Sequence, residues 1–298
     1  MSGQARKQKS FAGAHSVGTL YLVATPIGNL EDMTFRAVHI LKEVGCIAAE
    51  DTRQTRKLLT HFGISGTLLS YHEHNKQKSG PQLLERLEAG ENVALVSDAG
   101  LPAISDPGAE LVAEAAERGI PVVPIPGANA ALSALIASGL PTDTFTFLGF
   151  LPREKKKAAA VLAQWKTHQA TLILYEAPHR ITATLKLMLT HWGNRRITLA
   201  RELTKRYEEF MRGTIEGCIE QLESEGPVGE YCIVVEGSPA HDQNEADDQA
   251  WWRDLTPQEH VAHYERTEGM SSKDALKRAA ADRGVPKREL YAEIHQEK

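Results

Sequence analysis

The chain has 298 residues, 42% of them apolar and 24% charged, with a formal net charge of -5. The apolar share is enough for a substantial core, and the mild acidity excludes a global positive field that recruits nucleic acid, so any such contact must come from a local basic patch. No apolar run is long enough for a membrane span. The three cysteines (Cys46, Cys218 and Cys232) form no CxxC pair, which points to a reducing compartment and away from a disulfide framework or a zinc site.

Residues 1–16 are basic and polar without the apolar centre of a signal peptide, and read as a disordered tail. Residues 19–24 read as a strand ending in Thr25-Pro26-Ile27-Gly28-Asn29. A helix is expected from about Met33, with Asp32 as its cap. The loop between them holds one glycine, which counts against a dinucleotide fold or a Rossmann-type methyltransferase, where several glycines let backbone approach a ligand. Residues 46–49 form a second strand, followed by Glu50 and Asp51. A helix then presents Arg53, Arg56 and Lys57 on one face, a cationic lip for a phosphate-bearing partner. His72 and His74 stand on either side of Glu73, but no further ligand set is near, so a polar loop is expected there. A helix over residues 81–89 closes at Gly90.

The stretch over residues 92–108 is the most telling. An apolar run, Val93 to Val96, breaks into Ser97-Asp98-Ala99-Gly100 and then Ile104-Ser105-Asp106-Pro107-Gly108. This reads as a buried parallel strand feeding a loop, and ligands of open α/β sheets bind outside the carboxyl ends of strands. A small-molecule site is therefore expected over Asp98 to Asp106, with Asp106 also capping the next helix. Residues 122–125 form another strand. Gly127, Ala128 and Ala130 after it are small enough for close backbone approach to a ligand. Strands alternate with helices up to this point, the pattern of a parallel or mixed α/β domain.

In the second half, a strand over residues 144–150 leads into Arg153, Lys155 and Lys156, a further basic cluster suited to phosphates. Residues 170–175 form an apolar strand ending at Tyr175 and Glu176, where a ligand can be contacted, and Arg180 opens the following helix. A strand over residues 195–200 ends in Arg201, with Lys205 and Arg206 beyond, and Tyr207 and Phe210 offer rings for bases. A last strand covers residues 229–236, and several strands of this half are expected to run antiparallel. Residues 240–250 are acidic and polar, the composition of a linker. Three short helices follow, broken at Gly269 and at Gly284-Val285-Pro286, which resembles a helix-turn-helix unit. Its last helix carries Lys287 and Arg288, offset by Glu289, Glu293 and Glu297.

The ordered motifs Leu22-Val23-Ala24-Thr25-Pro26-Ile27-Gly28-Asn29-Leu30, Glu50-Asp51-Thr52-Arg53, Ser97-Asp98-Ala99-Gly100, Ile104-Ser105-Asp106-Pro107-Gly108, Pro126-Gly127-Ala128-Asn129, Tyr175-Glu176-Ala177-Pro178-His179-Arg180 and Arg201-Glu202-Leu203-Thr204-Lys205 closely resemble those of the ribosomal RNA small subunit methyltransferase I family, class III methyltransferases of the tetrapyrrole methylase superfamily. The match runs in order over residues 19–237, and the tail resembles that family's helix-turn-helix extension. Tetrapyrrole methylases carry a Gly-Pro-Gly-Asp loop after the first strand. Pro26-Ile27-Gly28-Asn29 stands there instead, which disfavours a porphyrin substrate.

The resemblance implies two α/β domains (residues 18–128 and 129–239) with a cofactor cleft between them, a disordered tail (1–17), a linker (240–255) and a helical unit (256–298). It implies a cytoplasmic homodimer that binds S-adenosylmethionine and methylates the 2′-hydroxyl of a cytidine in the decoding region of small-subunit rRNA, within a 30S particle. Cofactor contacts are then expected from Pro26, Asp98, Ala99, Gly100, Ile104, Ser105, Asp106, Gly127, Ala128, Asn129, Ala130, Tyr175 and Glu176. RNA contacts are expected from Arg53, Arg56, Lys57, Arg153, Lys155, Lys156, Arg180, Arg201, Lys205 and Arg206. Glu50, Asp51 and Glu176 are the candidate bases and Arg53, Arg153, Arg180 and Lys205 the candidate cations, so the catalytic set is drawn as Glu50, Arg53, Glu176 and Arg180. Three other readings compete: the same fold acting on a tetrapyrrole or a modified histidine, a ligand-sensing regulator whose tail binds DNA, and a plain nucleotide-binding domain, which the missing phosphate loop disfavours.

Overall fold

The computed structural model describes residues 7–9, 16–239 and 252–296, so most of the expected N-terminal tail and acidic linker lies outside the described residues. Two compact units divide at Gly237 and Ser238.

In the larger unit, β1 (Leu20–Val23), β2 (Cys46–Ala49), β3 (Thr67–Ser70), β4 (Val93–Val96) and β5 (Val122–Ile125) form a parallel sheet in the order β3-β2-β4-β1-β5. The connections toward β3 carry α1 (Phe35–Glu43) and α2 (Thr52–His61). Those returning to β4 and β5 carry α3 (Lys76–Glu88) and α4 (Ala109–Glu117). Because such crossovers are right-handed, reversing direction moves the helices to the opposite face. Strand β4 shows the result: Val93 and Leu95 pack with Leu83, Leu87 and Leu111, while Ala94 and Val96 pack with Leu41 and Leu59. Buried on both faces, the strand reads as an unbroken apolar run. At the edge, Gln8 of the expected disordered tail bonds the Val122 backbone twice through its side-chain amide, at 2.8 and 3.0 Å.

Helix α5 (Ala130–Ser138) leads into a second sheet of β6 (Phe145–Phe150), β7 (Thr171–Glu176), β8 (Arg196–Arg201), β9 (Glu209–Thr214) and β10 (Tyr231–Val235). Its order is β6-β7-β10-β8-β9, with β6 and β7 parallel and the other pairs antiparallel as expected. Helices α6 (Lys155–Gln164), α7 (Ile181–Trp192) and α8 (Ile215–Glu225) cover one face. On the other, Ala134 and Leu135 of α5 pack on Ile173, Ala200, Cys232 and Val234, and Ile27 from the loop after β1 joins that cluster. An apolar side chain of the first half thus seals the sheet of the second.

The smaller unit holds α9 (Pro257–Thr267), α10 (Ser272–Asp282) and α11 (Lys287–Gln296) around Tyr264, Leu276, Ala279 and Leu290. Thr256 and Glu259 close a reciprocal capping box on α9.

Several expected starts shift. Helix α1 begins after a short 3-10 turn (Leu30–Asp32), and its cap is Thr34, whose hydroxyl accepts from the Ala37 amide at 3.1 Å, not Asp32. Helix α3 begins at Lys76, ahead of Pro81, from a turn in which Asn75 accepts the His72 amide at 2.8 Å. Asp106 does not cap α4; Gly108 holds that position with no side-chain bond. Strand β9 and helix α8 carry no anticipation from the sequence. Strand β9 lies at the sheet edge, mostly exposed, and so lacks an apolar signature.

The chain passes from β5 to α5 directly against the end of β1, where a Cβ on Gly127 would lie 2.7 Å from the Cβ of Ala24. Gly127→Ala is expected to lower stability by about 1–3 kcal/mol through overpacking, read as a lower urea midpoint at unchanged slope.

Candidate functional site

Strands β2 and β4 are neighbours whose connections leave in opposite directions, toward β3 and toward β5, and this divergence opens a crevice at the carboxyl ends of the strands. There a cleft of about 510 Å³ lies between the two sheets, within the usual range of small-molecule sites. On the first sheet's side, the loop after β4 is pinned to the end of β1. Thr25 and Gly100 exchange two backbone bonds, at 2.9 and 3.0 Å. Below them the buried hydroxyl of Thr25 donates to the Ser97 carbonyl (3.1 Å) and that of Ser97 to the Gly100 carbonyl (3.0 Å).

Register then gathers charge. Ala49 of β2 pairs with Val96 of β4, so the residues that follow each strand emerge side by side. The Asp51 amide donates to Asp98 at 3.1 Å. Glu50, Asp98 and Asp106 all line the cleft. Burial, then the neighbouring Glu50 and Asp98 charges, push the Asp106 carboxyl up to about 6. Burial and the Asp98 charge likewise raise that of Glu50. Asp51 behaves oppositely: its bonds from the Arg53 guanidinium and amide hold it down at about 2.

The second sheet supplies an apolar wall. Tyr175 packs edge-on against Phe147 and Phe150, with ring centroids 4.9 and 5.6 Å away. Its hydroxyl accepts from the Ala131 amide at 3.1 Å, fixing the start of α5. Burial pushes that phenol up to about 12, so it stays neutral. Glu176 lines the same wall, but its carboxylate is taken: the Thr184 hydroxyl donates to one oxygen (2.6 Å), and the Ala177 amide (3.0 Å) and Arg180 (3.3 Å) meet the other. Arg180 is equally committed, donating to the Leu151 and Pro152 carbonyls.

Among the described residues, four other than glycine have a positive φ: Ala103 (66°), Ser105 (61°), Glu202 (49°) and Thr204 (66°). All four lie in two loops that flank this cleft. Strained backbone persists only where its surroundings over-determine it, and it concentrates at functional sites. The loop after β8 is held from across the cleft. Gly28, at φ +156°, leaves no room for a side chain, since a Cβ there would lie 2.4 Å from Cγ of Lys205. Lys205 itself bridges Glu202 and Glu230, each at 3.1 Å.

Of the residues anticipated for the cofactor, Asp98, Ala99, Gly100, Ile104, Ser105, Asp106, Asn129, Ala130, Tyr175 and Glu176 line the cleft, together with Glu50 and Lys205. Pro26, Gly127 and Ala128 do not line it. Gly127 is small because β1 is near, and Asn129 caps α5 by accepting from the Leu132 amide at 2.8 Å. Arg53, Arg56, Lys57, Arg153, Lys155, Lys156 and Arg206 are exposed outside the cleft. Arg201 is half-buried and pairs with Glu209 at 2.8 Å. Sequence reasoning misses Ile27, Phe150, Glu202, Leu203, Glu230, Tyr231 and Cys232 as lining residues. The positive φ pair in Glu202-Leu203-Thr204 has no composition signal, and Tyr231 and Cys232 arrive through an antiparallel pairing.

Two α/β halves, a cleft at strand ends and loops reaching across it define the class: the tetrapyrrole methylase fold. Residues 19–218 match the family model Tetrapyrrole (Corrin/Porphyrin) Methylases. A crystal structure of diphthine synthase superposes with a TM-score of 0.58 at 15% identity, covering 74% of this chain and 90% of that one, a likeness of fold alone. Within the class, this chain is 55% identical over 292 residues to ribosomal RNA small subunit methyltransferase I of Halalkalibacterium halodurans, covering 98% of this chain and 100% of that protein. It is 55% identical over 290 residues to the protein of the same name from Bacillus subtilis, covering 97% and 98%. The chain belongs to the ribosomal RNA small subunit methyltransferase I family.

Tyr175→Phe leaves the Ala131 amide without its acceptor. A loss of about 1 kcal/mol is expected, measured by urea unfolding, with little change in ring packing.

Proposed function

We propose that the cleft holds S-adenosylmethionine and that the chain methylates the 2′-hydroxyl of a cytidine in the decoding region of small-subunit rRNA. The observation that carries the reading is a cleft of suitable size in which Glu50, Asp98 and Asp106 on one side face the rings of Tyr175 and Phe150 on the other, in a chain similar throughout to ribosomal RNA small subunit methyltransferases I. The residues present fit the cofactor. Glu50, Asp98 and Asp106 offset the positive charge of a sulfonium and an ammonium, and Tyr175 and Phe150 present ring surfaces to the same ligand. The N-terminal half (residues 18–128) and the C-terminal half (129–239) share the site.

When bound, the cofactor supplies a methyl group on a sulfonium that needs little activation. The protein's task is to hold the ribose oxygen in line with it and to accept the hydroxyl proton. Glu50 is the acceptor that fits: it lines the cleft and its affinity for a proton is raised. Asp51 is held too acidic by Arg53, and Glu176 is fully hydrogen-bonded. Arg53 and Arg180 therefore act as supports, Arg53 for Asp51 and Arg180 for the chain at Leu151 and Pro152. Lys205 is the cation within the cleft that can stabilise a developing oxyanion. Arg56, Lys57, Arg153, Lys155, Lys156 and Arg206 are free to meet backbone phosphates, with the target nucleotide unstacked into the cleft.

The substrate in this reading is an assembled 30S particle, and the enzyme works as a cytoplasmic homodimer. Among the described residues no helix is long and apolar enough to cross a membrane. The direct test supplies labelled cofactor with 30S subunits, naked rRNA and uroporphyrinogen, and identifies the product nucleoside by mass spectrometry. Label in 2′-O-methylcytidine is expected; label in uroporphyrinogen alone would overturn the proposal.

Asp106 gives a pH signature with a fixed sign. Its carboxyl, raised to about 6, is neutral below that pH and ionised above. Its contribution to stability without ligand is therefore lost as pH rises through 6. A ligand of net positive charge gains affinity over the same interval. Calorimetry from pH 5 to 7.5 is expected to show S-adenosylmethionine binding tighten about tenfold, while S-adenosylhomocysteine, which lacks the sulfonium charge, changes far less. Asp106→Asn should abolish that pH dependence and raise the thermal midpoint of the ligand-free protein at pH 7.5.

A further inference from the structure

Helix α11 divides its surface into three sides. Leu290 is buried in the core of the unit and Ile294 packs beside it. At about 100° per residue, Lys287, Tyr291 and His295 fall on a second side with Arg288 adjoining. Glu289 and Glu293 fall on a third. The acidic residues that offset the basic ones in composition are thus separated from them in space.

The second side has a particular chemistry. The rings of Tyr291 and His295 stack with centroids 4.1 Å apart and planes 25° apart, and Tyr291 is 53% exposed. Nζ of Lys287 donates to the Lys273 carbonyl at 3.0 Å. This brings the start of α10, with exposed Lys273 and, one turn on, Lys277, to the same flank. The nearby carboxylates are engaged elsewhere: Asp274 with Ser271, and Asp282 with Tyr264 and Arg278. Among the described residues, Lys273, Lys277, Lys287 and Arg288 form no ion pair.

We infer that this side of α11, built from Lys287, Arg288, Tyr291 and His295, is an RNA-binding face that takes an unpaired stretch of the rRNA substrate. Ring faces suit bases of any identity, and flanking cations suit the phosphates between them. An acidic protein partner would match the cations but leave a half-exposed ring pair without a role. The inference rests on the rRNA reading of the cleft and assigns the C-terminal unit its part in it.

The test uses the full chain and a fluorescein-labelled RNA containing the decoding region of small-subunit rRNA, with anisotropy read across a salt series. The double change Lys287→Gln with Arg288→Gln is expected to weaken binding at least tenfold and to lower the salt slope by about 1–2. Tyr291→Ala should weaken it about tenfold with the slope unchanged. Glu289→Gln with Glu293→Gln should stay within about twofold, since that side faces away. Circular dichroism and cofactor calorimetry report that each variant is folded. Unchanged RNA binding in the basic and Tyr291 variants, from a wild type that methylates rRNA, would overturn the inference. So would acidic-side variants that tighten binding as much as the basic variants loosen it, which would reveal net charge at work. Loss of 30S binding with naked RNA binding intact would also overturn it, in favour of a ribosomal protein. Binding losses as expected from a wild type that methylates no rRNA would support this face and overturn the reading of the cleft.

Discussion

The cleft depends on three carboxylates held so close that, on top of burial, the charges of Glu50 and Asp98 raise the affinity of Asp106 for a proton and that of Asp98 raises the affinity of Glu50. Glu50, Asp98 and Asp106 come together because β2 and β4 are neighbours in register, although the strands are more than forty residues apart in sequence. Without a ligand the arrangement is unfavourable: burial of its carboxyl, and then the like charges of Glu50 and Asp98, lead Asp106 to hold its proton up to about pH 6. A ligand of positive charge relieves that repulsion. The sheet order therefore does more than bury apolar surface, because it fixes an electrostatic frustration that a cation resolves.

Holding such a cluster requires stiff loops, and the stiffness comes from both halves. The loop after β4 is tied to β1 by the Thr25–Gly100 pair and carries two residues in left-handed conformation. The loop after β8 carries two more, held by the Glu202–Lys205–Glu230 ion pairs and packed against Gly28. Ile27, between those two loops, sits in the apolar cluster of the second sheet. The parts in contact with the cleft are thus strained, and the parts behind them are densely bonded, the division expected where geometry rather than flexibility sets the chemistry.

Much of this was legible in the order of residue types. A buried parallel strand has to be apolar throughout and has to end in turn residues, so Val93–Val96 and the loop after it announced both the sheet and the cleft. What stayed hidden were properties that belong to pairs of distant segments. Gly127 reads as a ligand contact until Ala24 is found against it. Glu176 reads as a base until Thr184 and Arg180 are found on its oxygens. Edge strand β9 has no buried face to impose alternation, and Cys232 and Tyr231 line the cleft only because β10 runs between β7 and β8. Local pattern reports which residues want burial or a turn; it is silent on which partner fills the space.

The same distinction governs charge. The chain is acidic overall, yet the proposed substrate is a polyanion, so attraction has to be local and kept apart from the acidic cleft. Lys205 inside the cleft is matched by Glu202 and Glu230, and Arg53 and Arg201 at its edges by Asp51 and Glu209. Paired cations of this kind add little long-range pull. The exposed groups Arg56, Arg153, Lys155 and Lys156 stand outside the cleft and remain available to phosphates. In the proposed reading, negative charge is thus concentrated where the cationic donor would bind and positive charge is left free for a phosphate backbone. A net charge of -5 excludes a global positive field and nothing more, because a sum over the chain is silent on where the two signs stand.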